Sequence, residues 1–278
     1  MTGHRITAVA VVIPARDEEE LIRRCLLGVR NALRALPDHI TTAAEVVLDG
    51  CRDDTVARAE TVLDAWPEAG LLHVQRSRGR PAEHAAVGRH QLVHTVAGAG
   101  VGALRDLGIR HLLRRLRHHD PSTTWLLSTD ADSAVPTDWA LCHLEHATTG
   151  AAAVAGTADL DGPAGVTPGA RRRYRELVRD RTSGPTHGHV YGANLGVRAD
   201  AYLAVGGFPW HGSGEDHGLW ERLRAAGYPL EQPTGVRVLT SARLRGRAAG
   251  GLADLLSGLD ATDETAADAA TQPQVGPA

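Results

Sequence analysis

The sequence predicts an α/β fold, a mostly parallel sheet flanked by helices in a single domain. Three observations predict it. Short apolar runs rich in β-branched residues alternate with amphipathic stretches through residue 130. The amphipathic stretches carry apolar residues at helical spacing. Three of the apolar runs stop at clusters of charged residues, at the strand ends where open α/β sheets bind ligands.

The elements follow in order. The run ITAVAVVIP (6–14) is bounded by proline and reads as a buried strand. Leu21, Cys25, Val29, Leu33 and Leu36 then recur on one face of a helix over about 18–36. AEVVLD (44–49) is a second strand. The turn after it enters a second helix, with Asp53 or Asp54 as its N-cap. LLHV (71–74) is a third strand. The basic, histidine-rich region 79–119 is expected to hold helical stretches without a clear partition. TWLLST (124–129) is the next strand, and AAAVAGTADL (151–160) is expected to be another. Residues 170–184 form a charged helix and loop, and 187–216 are rich in glycine. In 215–228, Leu219, Trp220 and Leu223 mark one helix face and Gly227 its end. The tail from 260 to 278 is acidic and rich in alanine and proline, and is expected to be disordered.

Composition narrows the function. The 278 residues carry a net charge of -3, which argues against a nucleic-acid binder held by bulk charge. Three scattered cysteines, Cys25, Cys51 and Cys142, show neither a disulfide framework nor metal-thiolate spacing. The first apolar run is too short to span a bilayer and lacks a signal-peptide pattern. The expectation is a cytoplasmic protein with no integral membrane segment, peripheral membrane contact being left open.

The chemistry sits at the strand ends PARDEEE (14–20), LDGCRDD (48–54) and TDADS (129–133). Asp130 and Asp132 flank a single alanine, and carboxylates this close repel each other. A hard divalent cation, Mg²⁺ or Mn²⁺, suits such a pair, because it takes oxygen ligands from carboxylates and substrate phosphates. The tripeptide also occurs as a plain turn with side-chain hydrogen bonds.

VVIPARDEEE (11–20), VVLDGCRDDT (46–55), STDADSAVP (128–136), YGANLGVRADAYLAVGGF (191–208) and GEDHGLWERLRAAGY (214–228) occur in order. Together they resemble the family-2 glycosyltransferases of the GT-A fold over roughly residues 8–250. The resemblance implies transfer of a sugar from a UDP- or GDP-sugar to a hydroxyl acceptor, with inversion and metal assistance. It implies a domain over 1–259, with a nucleotide-binding half to about 135 and an acceptor half beyond. It places Pro14, Ala15, Arg16 and Glu18 at the nucleoside pocket and gives Asp49 a hydrogen bond from the base. Asp130 would contact the ribose or the metal's water, and Asp132 would ligate the metal. Asp216 matches the catalytic base, with Glu215 beside it as the next candidate. Gly192, Asn194 and Trp210 would face the acceptor.

Two segments depart from the family pattern. For the diphosphate-binding arginine, Arg105 in GVGALRDLG is the nominee and Arg89 its rival. No histidine follows His217 to complete a metal site, and the late loop offers Arg243, Arg245 and Arg247 instead. Arg245 is taken as donor-binding. Each residue also has a plainer reading: Asp49 as a turn cap, Glu215 and Asp216 as carboxylates suited to a helix N-terminus. A retaining transferase or nucleotidyltransferase and a non-catalytic sugar-nucleotide binder are the alternatives. The acceptor and the oligomeric state are left open.

Overall fold

Strand β1 (Ala8–Ala15) is the axis of the sheet, and all of its residues are buried. The structure is a computed structural model that describes residues 5–77, 83–87, 90–96, 100–162, 165–210, 212–246 and 251–271. Val9, Val11, Ile13 and Ala15 of β1 pack into one hydrophobic layer, and Ala8, Ala10 and Val12 into another. A strand covered on both faces has to be a near-continuous apolar run, which is what 6–14 is. Helix α1 (Ile22–Arg34) buries Ile22, Cys25, Leu26, Val29 and Leu33 on the first layer. It begins later than the periodicity suggests, because the Leu21 N–H donates to the Glu18 carbonyl in a turn.

Strand β2 (Thr41–Asp49) lies parallel to β1, and α2 (Thr55–Leu63) leads to β3 (Ala69–Ser77), parallel to β2. The region 79–119, expected to hold helical stretches without a clear partition, holds strands as well as a helix. β4 (Glu83–Val87) and β5 (His90–Val96) form an antiparallel pair, with β5 parallel to β3, and only then does α3 (Val101–Arg115) begin. HQLVHTV does not alternate, and its strand signal is limited to the β-branched Val93, Thr95 and Val96 among histidines.

β6 (Thr124–Ser128) pairs parallel with β1 on the side away from β2. The chain order therefore reverses at β1, which makes a topological switch point beside its carboxyl end. β7 (Ser133–Ala134) and α4 (Trp139–Thr149) follow. The single strand expected over 151–160 is two, β8 (Ala153–Ala155) and β9 (Thr157–Asp161), in different sheets. The break falls at Gly156, where a Cβ would lie 2.2 Å from Asn194 Nδ2.

The remaining elements are α5 (Pro168–Asp180), the short pair β10 (Thr182–Ser183) and β11 (Thr186–His187), β12 (Leu195–Arg198), α6 (Ala199–Ala204), α7 (Glu215–Ala225), β13 (Leu230–Glu231), β14 (Arg237–Ser241) and α8 (Leu252–Thr271). The main sheet runs β13-β8-β12-β6-β1-β2-β3-β5-β4, with β12 antiparallel to its neighbours, and β7-β14-β9 form a smaller sheet. Among the described residues, no helix is long and apolar enough to cross a membrane.

Helix α8 runs past residue 260 to Thr271, into the segment expected to be disordered. Leu256 is fully buried with Val166, Ala170 and Tyr174, and the Asp260 carboxylate accepts the Thr167 N–H at 2.7 Å. Alanine-rich sequence is also strong helix former once one face is anchored.

Asn194, expected at the acceptor, is fully buried and ties the two sheets together. Its carbonyl oxygen accepts from Trp139 Nε1 at 2.9 Å and bonds His143 Nε2 at 3.1 Å. Its amide donates to the Thr157 and Val236 carbonyls at 2.8 and 3.0 Å. Burial pushes the His143 pKa down to about 4, against the opposing hydrogen bond to Asn194. The unfolded chain, with histidine near 6.5, takes up a proton that the folded protein refuses until about pH 4. Stability is thus full above 6.5 and falls as pH drops toward 4. Urea denaturation at pH 7 and pH 4.5 is expected to show a His143-dependent loss of about 2–3 kcal/mol, flattened in His143→Gln.

Candidate functional site

The carboxyl ends of β1, β2 and β6 lie side by side at the switch point, as the parallel registers require. Pro14 and Ala15 are buried strand residues, so Arg16 is the first exposed side chain of the β1 end. Its guanidinium lies 3.6 Å from the Asp49 carboxylate, which is itself only 4% exposed. Arg16 and Asp49, on the ends of neighbouring strands, therefore lie within ion-pair distance of each other.

The loops after β1 and β2 are laced together by hydrogen bonds. The Arg52 N–H donates to Asp17 Oδ1, the Glu19 N–H to Asp53 Oδ2, and the Asp54 N–H to Glu19 Oε2. The Glu18 N–H donates to Thr55 Oγ1 at 2.7 Å. Asp17 holds a left-handed φ of 51°, a conformation aspartate tolerates better than most residues. Asp53 accepts the Thr55 N–H and makes the turn, whereas Asp54 makes no side-chain cap bond. Burial works to raise the Asp53 pKa, but the Thr55 and Glu19 donors outweigh it and hold it low. Of the two cap candidates, Asp53 is thus the one that makes the bond, and its D-x-T spacing to Thr55 is a legible turn signal, whereas Asp17 was not singled out from sequence.

Arg105 reaches this rim from below. It lies on α3, is 3% exposed, and divides its guanidinium among three acceptors. Nη2 donates to Asp130 Oδ1 at 2.6 Å, Nη1 to Ser128 Oγ at 2.6 Å, and Nε to Glu215 Oε1 at 3.2 Å. Desolvation opposes its charge, but Asp130 and Glu215 outweigh it, so its pKa is raised. The nominee for the diphosphate is thus committed to protein acceptors on its three donor atoms. The side chain of its rival Arg89 lies outside the described residues.

Glu215 and Asp216, consecutive at the start of α7, point to different places. Glu215 is 8% exposed and turned onto Arg105. Burial raises its pKa, with Arg105 opposing. Asp216 is half-buried at the rim, where its Oδ2 accepts the Gly192 N–H at 2.9 Å and its Oδ1 the His217 N–H. Gly192 has no room for a side chain, because a Cβ would stand 2.7 Å from Arg105 Nη2. Trp210 donates its indole N–H to Asp106 Oδ2 at 2.8 Å, and Asp106 is a fully buried carboxylate that also accepts from Tyr202 and Arg110. The indole nitrogen is therefore turned inward and only the half-buried ring is left for the cleft.

Asp132 is held from the far end of the chain. Arg243, just beyond β14, bonds Asp132 Oδ2 through Nη2 at 2.9 Å and Glu18 Oε1 through Nη1 at 2.7 Å. Its loop is anchored there because β14 pairs with β7, immediately after the aspartates, and Ser133 Oγ bonds Thr240 Oγ1. Arg245, taken as donor-binding, is exposed two residues on, and Arg247 lies outside the described residues. Of the two arginines of the late loop among the described residues, Arg243 is the one that reaches the rim.

Whether these residues suit a divalent ion follows from the donor set. Among the described residues no three histidine, cysteine or acidic side chains cluster as a metal cage. Glu18 and Asp132 nevertheless converge on one guanidinium, so two carboxylates face one cationic position. Mg²⁺ and Mn²⁺ are commonly held by one or two carboxylates plus substrate phosphates and water, and the set fits them in that manner. Asp130 has one oxygen engaged by Arg105.

No family model and no curated protein matches the chain. Solved structures do. The mannosyltransferase PcManGT from Pyrobaculum calidifontis, in complex with GDP-Man and Mn²⁺, has a TM-score of 0.55 and 17% identity over 97% of this chain and 77% of its own. TarS 1-349 of S. aureus has a TM-score of 0.54 and 11% identity over 84% of this chain. The same TarS fragment in complex with UDP has a TM-score of 0.52 and 12% identity. The chain spans 60% of the length of that fragment. These likenesses establish the fold, an α/β sheet of the GT-A glycosyltransferase kind.

Arg105→Met is expected to cost about 3–5 kcal/mol of stability, because it leaves Asp130 and Glu215 without their shared counter-charge. Urea unfolding checks this. Adding Glu215→Gln to Arg105→Met is expected to restore part of the loss, as removal of an uncompensated buried charge should.

Proposed function

We propose that the protein is a family-2-type, inverting glycosyltransferase that moves a sugar from a nucleoside-diphosphate donor to a hydroxyl acceptor, with Asp216 as its general base. The observation that carries this reading is the split between the two acidic residues of α7. Glu215 is spent on Arg105, while Asp216 stays at the open rim with the Gly192 N–H fixing one oxygen. A hydroxyl is a weak nucleophile until its proton can leave, so a positioned carboxylate is what the transfer requires. Glu215 then serves as support and not as the base.

Other support comes from the structures of like fold, one holding GDP-Man with Mn²⁺ and one holding UDP. In this reading residues to about 135 hold the nucleotide and those beyond hold the acceptor. Arg16 and Asp49 receive the nucleoside, and the half-buried Trp210 ring with the Gly192 backbone borders the acceptor. Asp132, with Glu18 and Asp130 near it, would hold Mn²⁺ or Mg²⁺, which supplies charge stabilisation to the departing diphosphate. Arg243 and Arg245 bring further positive charge to the same phosphates. We place the reaction in the cytoplasm, with a hexose as the transferred group.

The test has two parts. A thermal-shift screen of UDP- and GDP-sugars with and without Mn²⁺ is expected to raise the melting temperature with at least one donor, more so with metal. No shift with any donor would sink the donor assignment. Asp216→Asn is expected to keep donor binding while donor turnover falls about 10²-fold or more. Wild-type turnover in a less stable Asp216→Asn would leave the residue as a helix-terminal carboxylate only.

A further inference from the structure

We propose that Arg243 is an exchanging counter-ion. It competes with the divalent cation for Asp132 and Glu18, and it is released to the donor's diphosphate when the cation takes its place. The inference rests on the donor and metal reading above and names the residue that couples the two ligands.

The geometry points this way on three counts. Arg243 reaches both carboxylates at once, at 2.7 Å from Glu18 Oε1 and 2.9 Å from Asp132 Oδ2. Those two carboxylates are largely buried, 6% exposed for Glu18 as a residue and 12% for the Asp132 side chain, so their charge needs a close counter-charge. A guanidinium supplies it through directed hydrogen bonds, and its fixed positive charge repels a divalent cation brought to the same two carboxylates.

The two ends differ in burial in the right sense. The backbone at Glu18 is held by its N–H bond to Thr55 Oγ1, and Asp132 sits in the turn before β7, where the Ser133 N–H donates to the Asp130 carbonyl. Arg243 lies beyond the last residue of β14, is 26% exposed, and has a long side chain. The carboxylates are the more enclosed partners and the arginine is the one with open space beside it. Arg105 has no such freedom, being 3% exposed with three internal acceptors. A diphosphate arriving with the cation offers the displaced guanidinium a bidentate acceptor of at least equal quality. Cation and nucleotide then each make the other's binding easier, and by linkage the coupling is reciprocal.

Mn²⁺ binding followed by the loss of the free-ion electron paramagnetic resonance signal tests this without any turnover. Wild-type protein, Arg243→Gln and Arg237→Gln are titrated with Mn²⁺ alone and with saturating UDP or GDP. Arg243→Gln is expected to bind Mn²⁺ alone about tenfold tighter than wild type, because the competing cation is gone. The nucleotide is expected to tighten Mn²⁺ less in Arg243→Gln than in wild type. Arg237→Gln removes the same charge from an exposed position on β14, where it pairs with Asp159, and is expected to stay within about twofold of wild type for Mn²⁺ alone. Unchanged or weaker Mn²⁺ binding by Arg243→Gln overturns the proposal, and so does equal tightening in Arg237→Gln, which would indicate only a general field. If wild type takes up Mn²⁺ with nucleotide but Arg243→Gln behaves identically, the exchange fails while the donor reading stands. If no variant binds Mn²⁺ with or without nucleotide, the metal reading fails and the exchange with it.

Discussion

The buried bridge from Arg105 to Asp130 and Glu215 is the interaction on which the arrangement of this rim depends. Three parallel strands deliver carboxylates to one edge of the sheet, and without counter-charge those groups would repel one another or take up protons. Arg105, entering from α3, joins the end of β6 to the start of α7. It thereby fixes the separation between the aspartate pair after β6 and the acidic pair of α7, the two groups that act on opposite ends of the proposed reaction. A lysine would not do the same work, since the planar guanidinium divides its hydrogen bonds among Ser128, Asp130 and Glu215.

The same economy recurs around the rim. Asp49 lies under Arg16, Asp132 and Glu18 share Arg243, and Asp130 and Glu215 share Arg105. Arg16 and Arg243 are partly exposed, whereas Arg105 is buried. In the proposed reaction this grading separates a framework charge, Arg105, from one, Arg243, that the donor's diphosphate would draw away. The loops after β1 and β2 are laced together by backbone donors held on Asp17, Asp53 and Glu19.

Asn194 shows how closely the acceptor side is built onto the core. Its four hydrogen bonds tie α4 to the chain around β9 and β14, while Gly192, two residues earlier, holds Asp216. The GANLG segment therefore positions the proposed base from a buried anchor. Its glycines are set by close approach, to Arg105 at Gly192 and to the His143 and Trp125 rings at Gly196. An asparagine in a glycine-rich stretch reads as a ligand contact on sequence grounds, and here it is a structural fastener.

The sequence by itself determined the sheet and its rim. Fully buried parallel strands must be apolar runs, helices that cover them must be amphipathic, and the strand ends that carry a site announce themselves as charge after an apolar run. Those local patterns placed β1, β2, β3 and β6, and α1, α2 and α7, and they marked the strand ends that carry Asp49, Asp130 and Asp132, whereas Glu215 and Asp216 stood out only through the family resemblance. Only the tertiary structure decided which charges meet. Nothing local to residue 105 says that it is buried under Asp130, or that Arg243 returns across more than two hundred residues to Glu18. Nor does it say that Glu215 turns inward while Asp216 stays at the rim. Pairing between distant segments depends on sheet order and on which helix face is covered, and these are properties of the assembled fold that no short stretch of sequence carries.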